Sequence, residues 1–359
     1  MTDRIEEFRS RILERKPLRL RGGGSKDFYG GPLSGDVLDT RGYSGIVGYE
    51  PTELVITARA GTPLAELESA LAARRQVLAC EPPHFGNATI GGEITGGATI
   101  GGAVAAGLSG PRRAVAGSLR DYVLGVKLMD GEGRELNFGG QVMKNVAGFD
   151  VSRLVTGSLG TLGLILEVSL KVMPLPVAQA TLRFEMPQDR ALDALNGWGG
   201  QPVPLAASCW QGDVLTLRLS GAQAAVTAAC EKLGGERVAE AEAADFWIAL
   251  REQTTAFFVG DAPLWRLSVP SVAPPLDLPG AQLIEWGGAQ RWLRGAVDVT
   301  QLRETAARVG GHASLFRGGD KTGGVFASLS PALMEVHRRL KQSFDPYGVF
   351  NPGRLYPEL

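Results

Sequence analysis

Residues 17–26, PLRLRGGGSK, set three consecutive glycines after a short apolar stretch, between the basic side chains of Arg21 and Lys26. Lacking side chains, Gly22, Gly23 and Gly24 let the backbone turn sharply and bring its N–H groups close to a ligand. A concave row of such groups beside two cations is an anion nest, and a pyrophosphate is the kind of anion it suits. The same residues also read as an ordinary turn between strands. Three further glycine-bearing segments keep this loop company: TIGGAVAAGLSGP (99–111), GSLRD (117–121) and GSLGTLGLI (157–165). Glycines that adjoin strands, instead of filling linkers, predict a backbone wrapped closely around an extended ligand. Ser25, Ser109, Ser118 and Asp121 would supply the few directional contacts such a pocket needs.

The elements that must position these loops follow from periodicity. Leu18 and Leu20 alternate with Arg19 and Arg21, a half-exposed strand feeding the glycine turn. Residues 54–58 (LVITA) form a strand, and Thr62 before Pro63 caps a helix carrying Leu64, Leu67 and Leu71. Residues 122–138 read as a hairpin turning at Asp130-Gly131. Over 164–172 Leu164, Leu166, Val168, Leu170 and Val172 take one face, while Ile165, Glu167, Ser169 and Lys171 take the other. The prolines of MPLPV (173–177) close the segment. Beyond them lie a strand near 214–219, an Ala-rich helix at 222–232, a helix near 242–253, strands near 264–269 and 282–286, and a helix near 300–308. That mixture predicts an α+β domain with an antiparallel sheet. A last helix opens at Ser330-Pro331 with Leu333, Val336, Leu340 and Phe344 on one face.

Bulk properties exclude several classes. A chain of 359 residues allows two or three domains, and 44% hydrophobic with 21% charged residues describes a globular protein. The net charge of −1 provides no field for nucleic acid. Cys80, Cys209 and Cys230 are too few and scattered for a disulfide framework, a zinc site or an iron–sulfur cluster, which fits a cytoplasmic setting. The start of the chain reads as a charged amphipathic helix with Ile5, Phe8 and Ile12 on one side, not as a secretion signal. Residues 94–110 are uncharged but carry six glycines, too many for a membrane span. The sequon Asn87-Ala88-Thr89 reads as accidental. G-x-G-x-x-G and the P-loop pattern are absent, which disfavours the common nucleotide folds. TIGG occurs twice, at 89–92 and 99–102, as a local duplication lengthening one loop; the second copy, leading into AVAAGLSGP, is the one expected to touch a ligand.

In this order, RGGGSK, TIGG…GLSGP, GSLRDYVLGV, KNVAGFDVSRLVTGSLGTLG and FDPYGVFNPGR, the chain resembles the p-cresol methylhydroxylase (PCMH)/vanillyl-alcohol oxidase family. EPPHFG (81–86), GPRRAVAGSLRD (110–121), residues 141–150 and LIEWGGAQRWL (283–293) make it similar, more narrowly, to the smaller FAD-binding subunits of bacterial glycolate oxidases. The resemblance implies an α+β protein with a two-part PCMH-type FAD-binding domain over 1–176. It further implies an α+β cap over 177–325, and a helix and tail, 326–359, returning to the FAD domain. Arg21, Gly22, Gly23, Gly24, Ser25 and Lys26 would hold the FAD pyrophosphate. Gly101, Gly102, Gly107, Ser109 and Gly110 would run along the pyrophosphate-to-flavin stretch. Ser118 and Asp121 would make the family's G-S-x-x-D contact. Pro83, Gly163 and the Ile165 backbone would add further cofactor contacts, and Asn351 and Arg354 belong to the returning tail. Some relatives attach FAD covalently through a His where Ser25 stands, so non-covalent FAD is expected.

Oxidising a 2-hydroxy acid requires a cation for its carboxylate and a base for its hydroxyl proton. Arg266, in LWRLSVP, is the candidate clamp, because its fork binds carboxylates bidentately; a solvent-facing or salt-bridged strand arginine is the plain reading. His312 is the candidate base, against a core histidine, and Lys144 a candidate near the flavin, against a surface lysine. His84 and His337 read as pocket-lining and structural. No paired-histidine metal site is present, so no metal is expected. The resemblance then implies a subunit of a glycolate oxidase complex, oxidising glycolate to glyoxylate. Its partners would be a larger FAD-binding subunit and an iron–sulfur subunit, with the membrane met only peripherally through them. The alternatives are a stand-alone FAD-dependent 2-hydroxy-acid or alcohol oxidoreductase, and a non-catalytic scaffold of flavin fold.

Overall fold

A computed structural model of the protein describes residues 2–86, 89–90, 93–94, 97–140 and 150–359. The amino-terminal helix Thr2–Leu13 buries Phe8 and Ile12 against Leu18, Val349 and Phe350, tying the two ends of the chain together. Strand Leu18–Arg21 pairs in parallel with Asp36–Asp39, and the glycine loop starts where the first of these ends. A five-stranded antiparallel sheet follows, in the spatial order Ile46–Glu50, Val55–Arg59, Leu164–Lys171, Val123–Met129, Glu135–Gly139. Helices Leu64–Ala72 and Ile100–Ala106 pack their apolar residues on it through Leu64, Leu67, Leu71, Ile100 and Val104. At about 1.5–3 kcal/mol per buried aliphatic side chain, this layer anchors the loops at its rim.

Two expectations change here. Strand Leu164–Lys171 does not have one polar face: Ile165 and Ser169 are buried too, because the sheet is covered on both sides, and Ser169 Oγ meets Thr57 Oγ1 at 2.8 Å. Thr62 does not cap the following helix; its hydroxyl donates to the Arg59 carbonyl at 2.7 Å and accepts from the Gly45 amide at 2.9 Å. Pro63 occupies the cap position instead.

A second antiparallel sheet of eight strands begins at Ala178–Glu185 and ends with His312–Arg317. One face is covered by helices Gln188–Gly199 and Gln223–Leu233, which bury Leu192, Leu195 and Val226 on Leu215, Leu217 and Leu219, and by helix Val299–Arg308. The opposite face carries Cys209, Leu283, Trp292 and Phe316, and meets Tyr29, Leu108 and Leu159 of the first region. A shared apolar cluster therefore joins the two sheets.

The last helix, Pro331–Phe344, is capped by Ser330 as expected, but only Leu340 and Phe344 of its apolar stripe pack on the first core. Leu333 and Val336 are 51% and 60% exposed. What anchors the helix is the buried Lys341, whose Nζ donates to the Thr161 carbonyl, Asp345 Oδ2 and the Phe350 carbonyl at 2.7, 2.7 and 3.0 Å. Among the described residues no helix is long and apolar enough to cross a membrane.

Candidate functional site

One cavity lies within the amino-terminal region and the returning tail, and a second lies where that region meets the eight-stranded sheet. The first is a concave cleft, the form that small-molecule and cofactor sites take. Residues 20–27 form one wall; Gly101, Gly102, Gly163, Ile165, Asn351 and Arg354 also line it. Gly22 is required to be glycine, since a Cβ there would stand 2.2 Å from Thr99 Oγ1. The absent side chain lets the glycine loop lie close against the second TIGG segment, whose Thr99 caps helix Ile100–Ala106 and accepts from the Gly102 amide at 3.3 Å. The helix amides are otherwise spent: Ile100 and Gly101 donate to the Thr62 and Ala60 carbonyls, both at 2.9 Å. The loop amides are not. Among the described residues no acceptor takes the N–H groups of Gly23, Gly24, Ser25 or Lys26.

Charge in this cavity is divided unevenly. Arg21 Nε is bound to Asp27 Oδ2 at 3.1 Å, and Arg19 is bound to the same oxygen. Lys26 forms no ion pair among the described residues; Nζ lies 3.3 Å from Ser25 Oγ and 5.5 Å from the centre of the Phe85 ring. Burial pushes its ammonium down to about 8, against the opposing pull of Glu252. Arg354 donates to the carbonyls of Tyr29 and Gly31, and Asn351 donates to the Leu159 carbonyl at 2.6 Å while accepting from the Leu20 amide at 2.8 Å. Both tail residues thus clamp the walls as well as line them.

The second cavity, much the smaller, lies between Pro83, Ser109 and Gly110 on one side and the second sheet on the other. The sheet contributes Arg266, Glu285, Gln290, Trp292 and Phe316. Arg266 Nη2 donates to Tyr29 Oη at 3.0 Å, and its guanidinium lies 5.6 and 5.5 Å from the Tyr29 and Phe316 ring centres. Glu285 is fully inside the protein; burial, the largest effect, pushes its carboxyl up to about 7, opposed by hydrogen bonds from Trp292 and Gln290.

Other sequence candidates lie elsewhere. Gly107 ends helix Ile100–Ala106 in the left-handed region and presses on Gly157, lining neither cavity. Ser118 and Asp121 form a capping box at the short helix Leu119–Tyr122, with Ser118 Oγ and its amide both donating to Asp121 Oδ2 at 2.8 Å. Ser109 Oγ accepts from the Leu119 amide at 2.9 Å. His312 is exposed at the start of its strand, its pKa lowered by desolvation and by Arg266. His84 is held by Glu68 at 3.0 Å, and its amide donates to Glu252. Lys144 and the first TIGG glycines lie outside the described residues. Among the described residues no group of three or more potential ligands could hold a metal ion.

Residues 13–139 match the family model of the FAD binding domain, and residues 317–355 that of the C-terminal domain of FAD linked oxidases. The glycolate oxidase subunit GlcE of Escherichia coli (strain K12) is 49% identical over 356 residues, 99% of this chain and 97% of that protein. The chain belongs to the GlcE family. The glycolate oxidase subunit GlcD of Bacillus subtilis (strain 168) is 31% identical over 185 residues, 50% of this chain and 37% of that protein. A crystal structure of p-cresol methylhydroxylase with substrate bound superposes with a TM-score of 0.69 at 14% identity, covering 96% of this chain and 84% of that one. That likeness concerns the fold, which is of the PCMH type, as the sequence resemblance implied.

FAD is the cofactor of this domain type, and the first cavity of this GlcE-family chain fits its diphosphate on two counts. Among the described residues four backbone N–H groups stand without acceptors, and Lys26 beside them has no ion-pair partner. The residues that sequence reasoning missed are Glu285, Gln290 and Trp292. Their one signal was a charged residue ending the apolar run LIE before an aromatic.

Proposed function

We propose that this chain is the smaller FAD-binding subunit of a complex that oxidises glycolate to glyoxylate. FAD is held non-covalently, with its diphosphate on residues 22–26. The single observation carrying this reading is the near full-length identity to GlcE of Escherichia coli, in a chain whose glycine loop keeps its amides unspent. The division of labour is 1–176 for FAD, 177–325 as cap, and 326–359 as the strap that returns through Asn351 and Arg354. Once bound, FAD supplies a two-electron acceptor. The chain's own residues do the rest: Gly23 to Lys26 donate to phosphate oxygens, and Lys26 balances their charge. Arg266 faces the cap cavity as the carboxylate clamp, its orientation set by Tyr29 Oη at 3.0 Å. Tyr29, Trp292 and Phe316 exclude water around it, which strengthens the charge-assisted bond. Of the remaining candidates, His312 and Lys144 are read as second-rank beside Arg266.

The partners are a larger flavoprotein subunit of the GlcD type and an iron–sulfur subunit, through which the assembly meets the membrane peripherally. The test is to co-express this chain, tagged, with both subunits and add glycolate without oxygen. Co-purification of all three, with bleaching of the flavin band only in the complex, is the expected result. A yellow chain that purifies alone and is bleached by glycolate alone would overturn the complex reading in favour of a stand-alone oxidoreductase. A colourless chain would overturn the flavoprotein reading.

A further inference from the structure

Glu285 is a buried acid that the reading above leaves unused. It ends strand Ala281–Glu285, opposite Gln290, which pairs in turn with Ser268. Directly opposed residues share a face of the sheet, so Glu285 and Arg266 point to the same side. Two strand spacings and two residues separate their backbones, roughly 12 Å at about 4.8 Å per strand and 3.4 Å per residue. Both side chains line the one small cavity.

The bonding of Glu285 is one-sided. Trp292 Nε1 and Gln290 Nε2 both donate to Oε2, at 2.6 and 3.1 Å, and among the described residues nothing donates to Oε1. The charges around it are otherwise committed. Arg251, on the cavity wall, is bound to Glu252 at 2.7 Å and lies 3.8 Å from Glu68. Glu81 is bound to Arg218 at 2.7 Å, and Arg113 lies over the Trp286 ring. Cys209, on the neighbouring strand, faces Glu285 as a buried thiol held neutral by its burial. His312 stands at the far strand end, near Arg266.

We propose that this cavity is a proton-linked site for a small carboxylate, with Arg266 binding the anion and Glu285 taking up a proton as the anion enters. The step balances without redox chemistry: the ligand enters as its anion, solvent supplies one proton, and Oε1 becomes an O–H that donates to the ligand. The cause is electrostatic, because a second anion beside a carboxylate in a dry site favours its neutral form. The poise of Glu285 near neutrality makes the effect visible under ordinary conditions. The inference rests on the flavoprotein reading only for its class of ligand.

The test uses the purified protein, with oxalate as a small carboxylate that carries no C–H bond to oxidise. Calorimetry in two buffers of different protonation enthalpy counts the protons taken up. The expected result is binding with uptake of a substantial fraction of one proton at about pH 7 to 8, affinity falling by up to tenfold per pH unit over the range in which the proton is taken up. Glu285→Gln should bind oxalate with no uptake and a flat pH profile, while Arg266→Gln should bind at least tenfold more weakly. Wild-type binding without proton uptake, or no binding in a protein holding full flavin, would overturn the proposal. A colourless protein that still takes up a proton with oxalate would support it and overturn the FAD reading instead.

Discussion

The cavity at the glycine loop presents backbone, whereas the cavity beneath the eight-stranded sheet presents side chains. In the first, four consecutive amides on the wall have no acceptor among the described residues, and of the two cations without a carboxylate partner there, Arg354 is spent on backbone carbonyls while Lys26 is not. In the second, Arg266, Glu285 and Gln290 project from three neighbouring strands. A backbone cradle reads shape and charge and tolerates little change in the chain that makes it. A side-chain cavity on strands can alter its chemistry by single substitutions while the sheet stays intact. That division suits a constant cofactor and an adjustable ligand.

Breaking the backbone cradle should have the largest effect. Gly22→Val would drive a branched side chain into Thr99, so the purified variant should lose its flavin absorbance while far-UV circular dichroism stays native. On the side-chain cavity, Arg266→Ala should leave flavin content unchanged and weaken oxalate binding roughly 10- to 100-fold, the worth of a charge-assisted hydrogen bond. Loss of flavin in that variant would move Arg266 into the cofactor site. Lys26→Met should weaken FAD binding about three- to tenfold at low salt. With a pKa lowered to about 8 by burial, free Lys26 is charged below that value and neutral above it. FAD affinity in the wild type should therefore fall as pH rises past 8, a decline that fluorescence titration should find absent from the variant. The smallest effect belongs to Asp121→Asn. If Ser118 and Asp121 serve the fold through their capping box, this change costs about 0.5–2 kcal/mol in thermal unfolding and leaves FAD affinity unchanged. A drop in affinity would return them to the cofactor list.

The same contrast explains what the sequence made legible. Gly22 and its neighbours announce a close backbone approach wherever they stand, because no other residue leaves the space empty. The strands near 54–58, 122–138 and 164–172 and the helix opening at Ser330 follow from local patterns of the same kind. Glu285, Gln290 and Trp292 carry no such mark. Their meaning comes from strand register with Leu264–Ser268, which is set by pairing across distant segments. Lys341 is the counterpart in the tail: a basic residue on an amphipathic helix reads as solvated, yet three acceptors from the Thr161, Asp345 and Phe350 positions enclose it. Ser109, Ser118 and Asp121 show the converse, polar residues in glycine-rich loops whose bonds hold the loops themselves.

The most direct measurement is an experimental structure of the protein purified with its flavin. The account predicts FAD diphosphate oxygens within roughly 2.7–3.2 Å of the amides of Gly23 to Lys26, with the ring system extending toward the Arg266 cavity. A diphosphate bound elsewhere, with those four amides solvated or turned onto protein carbonyls, would contradict it.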